Sequence, residues 1–207
     1  MQIKPLTTKI LESMVANNKT MLECLLPELV KRLILSSVDK ISSIRIPSKD
    51  DVWAPGFDGI VECDENSAHI CSGKSVWEFG TNEDSLSKIN EDYVKRNANS
   101  LGVEKTTTVF YLVIPKICSF SQSISEWEAV YKKDWKNVHI VDASELCDWI
   151  NPLPSVCCWL FENYYNQEIL LFTTVSKAWE QFSQKVNPQF SRELFLLGRE
   201  METELLL

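Results

Sequence analysis

Gly56-Phe57-Asp58-Gly59-Ile60-Val61 and, after a short gap, Ser75-Val76-Trp77-Glu78-Phe79-Gly80 decide how this chain is read. Each is a strand-like run with one acidic residue among apolar and aromatic neighbours. Burying an unpaired carboxylate is costly, so an acid in such company has a partner or a task. Two acids on adjacent strands can share one divalent cation, which accounts for both. Singly, each has a plainer explanation. Asp58 beside Gly59 can be a turn aspartate bonding its own backbone, and Glu78 a strand glutamate paired with an arginine.

Outward from these runs, Asp64-Glu65-Asn66-Ser67 and Ser72-Gly73 carry turn chemistry, so 57–63, 68–71 and 75–79 are expected as a curved antiparallel meander. Upstream, 6–37 is helical, with Thr20 able to cap and Leu22, Leu25, Leu26, Leu29, Val30, Leu33 and Leu35 at helical spacing. Pro27 is expected in the first turn of the main helix, with Glu28 close behind. A strand follows over 41–46. Downstream, Thr81-Asn82 offers a cap for a helix over 83–96, with Leu86, Ile89, Tyr93 and Val94 as its buried face. The run 106–114 is nearly continuous in β-branched and aromatic residues, as in a strand covered on both faces. A helix over 124–133 capped by Ser123, a strand over 138–141 and a helix over 144–150 complete the pattern. The order predicts an α/β sandwich with a central mixed sheet flanked by helices. Helical segments, including 176–184, dominate beyond 155.

With 207 residues, one domain over 1–160 and a helical extension over 161–207 are expected. Apolar residues at 44% supply a core, and no apolar run approaches the ~20 residues a membrane helix requires. The N-terminus lacks a signal-peptide pattern, which points to the cytoplasm, and the final Leu205-Leu206-Leu207 suggests a longer polypeptide or a docking contact. Seven cysteines without framework spacing fit free thiols. Cys63, His69 and Cys71, with His139 as the second imidazole, lack a Cys-x-x-Cys pair and read as strand-core residues rather than zinc ligands. Ser72-Gly73-Lys74-Ser75 precedes a strand rather than a helix, which excludes a P-loop. The net charge of −8 suits nucleic acid poorly, unless basic groups such as Lys88, Lys95 and Arg96 make a local patch. Lys132, Lys133 and Lys136 read as a solvated face.

These features resemble the PD-(D/E)xK nuclease class. The class places one acid on a hairpin strand, a second on the next strand, and usually a lysine two residues beyond. Asp58 and Glu78 match the acids, and Gly80 stands where the lysine is usual. The resemblance implies that Asp58 and Glu78 hold Mg²⁺ or Mn²⁺, with Glu28 as a further ligand. It also implies that a lysine on the following helix replaces the missing one. Lys88 is favoured and Lys95 is second, Lys88 lying two turns, roughly 12 Å, nearer the strand than Arg96.

Further blocks extend the likeness: Leu26-Pro27-Glu28-Leu29-Val30 with Arg32, then Asp92, Tyr93, Lys95 and Arg96, and Asp142, Ala143, Leu146 and Trp149. Together they resemble the restriction-endonuclease-like effector domains of bacterial antiphage STAND NTPases of the AVAST type. There the resemblance implies double-stranded DNA as substrate and activation by oligomerisation of a larger protein. Residues 194–200 look like the linker that leads onward. A catalytically inactive nuclease fold serving as an interaction module is the alternative, and a ribonuclease or other phosphodiesterase a third.

Overall fold

The computed structural model describes residues 5–47, 56–82, 84–118 and 123–166. Two helices come first, α1 (Thr8–Asn17) and α2 (Lys19–Ser37). Strands β1 (Ile41–Arg45), β2 (Gly59–Cys63) and β3 (Gly73–Phe79) follow, then α3 (Ser85–Ala98). Next come β4 (Val109–Val113), α4 (Ile124–Tyr131), β5 (Asn137–Val141), α5 (Ala143–Ile150) and α6 (Pro154–Tyr165). The sheet order is β1-β2-β3-β4-β5. The first three strands pair antiparallel, and β4 and β5 join parallel. The chain is therefore α/β, with a five-stranded mixed sheet flanked by helices. None of the described helices is long and apolar enough to cross a membrane.

Strand alternation divides the core into two layers, since successive side chains point to opposite faces. Trp77, Val109, Tyr111, Val113 and Val141 share one core with most of the buried residues of α1, α2, α5 and α6. Val76, Phe110, Leu112, Val138 and Ile140 share the other with Ile89 and Tyr93 of α3 and Trp127 of α4. All five residues of β4 are buried, as its unbroken apolar run requires. Glu78 sits two residues after Val76, so the same alternation turns a carboxylate toward the α3 layer.

Local chemistry explains where elements begin, and several expectations need correcting. Asn18, not Thr20, caps α2, its Oδ1 accepting from the Met21 N–H at 3.1 Å. Pro27 lies inside α2 rather than in its first turn, and it is buried. Apolar packing on both sides carries the helix through a position that lacks an N–H. Residues 68–71 form no strand, because the Ser67 hydroxyl accepts from the Ile70 N–H at 3.2 Å and folds the segment into a turn. Asp84, not Thr81 or Asn82, caps α3 by accepting from the Ser87 N–H at 2.9 Å. The buried stripe of α3 is Ile89, Asp92, Tyr93 and Arg96, while Val94 is 63% exposed. Ser123 and Glu126 form a capping box at α4. The expected helix over 176–184 and the segment 194–207 lie outside the described residues.

Candidate functional site

β2 and β3 pair from Cys63↔Gly73 to Gly59↔Trp77, which leaves Asp58 one residue past the last pair and level with Glu78. The pairing is close because Gly59 has no side chain: a Cβ there would stand 3.0 Å from Ile46 Cγ1 and 3.1 Å from Trp77 Cβ. Asp58 Oδ2 accepts from the Phe79 N–H at 2.8 Å, which continues the hairpin through a side chain. The two acids expected from the sequence therefore sit together at one end of the sheet.

α3 lies over that end and supplies a stripe at four-residue spacing: Lys88, Asp92 and Arg96. Lys88 Nζ donates to Asp92 Oδ1 at 2.7 Å. Arg96 Nε donates to Glu78 Oε1, its Nη2 donates to the Gly56 carbonyl, and its guanidinium lies 4.7 Å over the Phe57 ring. Of the two plain readings, the arginine-paired glutamate is therefore observed, and Asp58 bonds the neighbouring strand rather than its own turn. Arg96 and Asp92 belong to the cluster although the sequence pattern had placed Arg96 at the far helix end. A long guanidinium side chain reaches back along the helix, and only the spacing of residues 88, 92 and 96 signalled this.

Gly80 explains the missing lysine. A Cβ at Gly80 would fall 2.8 Å from Lys88 Cγ and 3.4 Å from Lys88 Cε. The aliphatic stem of Lys88 thus fills the space that a side chain two residues beyond Glu78 would occupy. Lys95, one position from Arg96, is exposed on another side of α3. Tyr93 turns into the core, where its hydroxyl donates its one proton between the Asp134 carboxylate (Oδ2 at 2.8 Å) and the Tyr131 carbonyl (2.9 Å). Glu28 is on α2, whose buried face belongs to the opposite core, and its carboxylate pairs with Arg32 at 3.0 Å. The structure does not bring Glu28 to Asp58 and Glu78.

The electrostatics follow from burial and crowding. Glu78, Asp92 and Arg96 are 4%, 4% and 5% exposed. Burial pushes the Glu78 carboxyl up to about 7, the Asp58 charge adds to this, and Arg96 only partly offsets them. Burial also raises Asp58, against the Phe79 N–H. Burial alone would lower Lys88, but the hydrogen bond and charge of Asp92, with Glu78 and Asp58 behind them, hold it above the ordinary lysine value. When all are ionised, three carboxylates face two cations, so one negative charge stands uncompensated. A proton or a metal cation answers that imbalance.

Among the described residues no three His, Cys, Asp or Glu side chains converge as a metal-ligand group. Two carboxylates nevertheless suit Mg²⁺, which takes hard oxygen donors, keeps several waters and commonly uses one or two carboxylates with substrate phosphate. Elsewhere, Cys71 Sγ lies 3.5 Å from His139 Nε2, and His69 Nδ1 faces Glu145 Oε1 at 3.3 Å while stacking on Trp149. These are paired side chains beside the core. No family model matches the chain, and comparison with curated proteins and with solved structures gives no match. The geometry of Asp58, Glu78 and Lys88 is thus the ground for a functional reading.

Proposed function

We propose that this chain carries a divalent-cation-dependent DNA endonuclease with a restriction-endonuclease-like fold. The observation that carries the reading is the meeting of Asp58 and Glu78 at one sheet end, with the Lys88 stem in the space of residue 80. The antiparallel β1-β2-β3 meander, followed by α3 and a parallel β4, supports the fold assignment. Double-stranded DNA, an effector role in antiphage defence, and activation by oligomerisation within a larger STAND-type protein rest on the resemblance described above.

Asp58 and Glu78 would hold Mg²⁺ or Mn²⁺ through carboxylate oxygens. A bound cation of this kind polarises the scissile phosphate and acidifies a coordinated water. The chain's own groups do the rest. The Phe79 N–H fixes the Asp58 carboxylate, and Asp92 keeps the Lys88 ammonium charged and aimed beside the acid pair. A fixed ammonium there stabilises negative charge developing on phosphate oxygens without reorganising during reaction.

Plasmid DNA offered with Mg²⁺ or Mn²⁺ tests this directly. The wild-type chain is expected to nick or linearise it, with Asp58→Ala, Glu78→Ala and Lys88→Ala each slower by on the order of a hundredfold or more. Cleavage that survives Glu78→Ala eliminates the assignment, and RNA offered in parallel separates the other phosphodiesterase reading. The second reading, an inactive nuclease fold used as an interaction module, is favoured by the guanidinium on Glu78. It requires that calorimetry show no Mn²⁺ uptake by the wild-type chain.

A further inference from the structure

Arg96 is built into the cluster from three sides. Its guanidinium joins Glu78 Oε1 to the Gly56 carbonyl and lies over the Phe57 ring, and its side chain is 6% exposed. It therefore sits on one of the two carboxylates that would bind the cation. A guanidinium and a divalent cation make opposing demands on one buried carboxylate. A cation on Oε1 replaces the guanidinium outright. A cation on Oε2 stands one carboxylate's width from a fixed positive charge, in surroundings that screen little. Either way the positive charge of Arg96 opposes cation uptake.

We propose that Arg96 is a resident competitor for the cation: it occupies Glu78 in the cation-free chain and must withdraw before Asp58 and Glu78 together bind a divalent ion. This rests on the reading of Asp58 and Glu78 as the cation site. A structural role alone predicts the opposite sign, because loosening Glu78 weakens any cation site it helps to form. Competition predicts that removing Arg96 tightens the site. The charge count agrees. The ionised cluster is one negative charge in excess with Arg96 in place and two in excess once its guanidinium is gone, which suits a dication better.

Mn²⁺ titration by calorimetry, with a thermal melt of each protein to confirm folding, tests the idea on the chain and on Arg96→Gln, Arg96→Lys and Arg96→Gln/Glu78→Gln. Arg96→Gln is expected to lower the Mn²⁺ Kd at least tenfold. Arg96→Lys keeps the charge but gives up the planar fork by which Nε and Nη2 hold Glu78 and the Gly56 carbonyl, and is expected to tighten binding about threefold. If only this variant folds, its affinity decides the question. The double variant is expected to lose the gain, which places the effect at Glu78. A Kd for Arg96→Gln within twofold of wild type, or weaker, overturns the competition while leaving the cation site standing. Folded wild-type and variant chains that all take up no Mn²⁺ overturn the cation reading and the competition with it.

Discussion

Replacing Glu78 by glutamine separates two accounts of the buried cluster. As a simple ion pair with Arg96, Glu78 would be missed most when ionised, because breaking a buried pair leaves an uncompensated charge at a cost of about 3–5 kcal/mol. The structure argues otherwise: burial and the neighbouring Asp58 outweigh Arg96 and raise the carboxyl from 4.5 to about 7. An acid whose folded value lies above its unfolded one binds its proton more tightly in the folded chain. Its contribution to stability is complete below about pH 4.5 and is lost as pH rises through about 7. That interval corresponds to roughly 3 kcal/mol, and Asp58, also raised, is present in both proteins and cancels from their comparison. Glutamine cannot titrate. In chelator-containing buffer, the stability of wild type relative to Glu78→Gln should therefore fall by about 3 kcal/mol between pH 4.5 and 8. For a chain of this size that is roughly 6–12 °C in relative Tm. Denaturant or thermal unfolding at half-unit pH steps reads the difference. Parallel pH curves for the two proteins would refute the reasoning, as would a difference that grows in favour of wild type with rising pH.

Two further outcomes are expected. Gly80→Ala puts a methyl 2.8 Å from Lys88 Cγ, so the lysine stem must move. Plasmid cleavage should drop about tenfold while Tm changes by only a few degrees, and unchanged cleavage would mean that Lys88 need not sit there. Asp142→Ala removes the α5 cap, whose Oδ1 accepts from Ser144 and Glu145 N–H at 2.9 and 3.2 Å and whose Oδ2 accepts from Cys118 N–H at 3.3 Å. The loss should be about 2 kcal/mol by denaturant unfolding, and a change under about 0.5 kcal/mol would contradict it.

How far the sequence could be read depended on whether one force dominated locally. The run into β4 was legible because its five residues are a short apolar run rich in β-branched and aromatic types, as suits a strand buried on both faces. Ser123 announced α4 as its cap, and the structure adds Glu126 as the other half of a capping box, which satisfies two helix donors at once. Residues 68–71 misled because His69 and Ile70 look strand-like, while the deciding bond comes from the hydroxyl of Ser67. In α3 the apolar Val94 took the place that spacing gives to Asp92 and Arg96. Ile89 fixes the buried stripe at 92, 93 and 96, and hydrophobicity alone cannot reveal that two of those are charged. Asp58 and Glu78 were visible as candidates, and an arginine on Glu78 was visible as the plainer reading, but which arginine it is was not.

The cluster is larger than the fold needs. Val76, Phe110 and Leu112 show that this layer closes well with apolar side chains. Replacing a buried ion pair by such groups is often neutral or stabilising by about 1–4 kcal/mol. A purely structural solution at Glu78 would therefore need no acid, or at most one acid and one arginine. Instead Asp58 stands beside Glu78 and raises it, Asp92 adds a third carboxylate, and Lys88 runs through the space kept open by Gly80. Each added charge costs desolvation, and together they leave the signs unbalanced. Stability alone does not call for that imbalance, which a proton on Glu78 or a bound cation would each relieve. Whether such a site is live or inert then turns on Arg96. A guanidinium that yields to Mn²⁺ leaves both acids free for a cation, and one that holds Glu78 permanently leaves the pair closed to it.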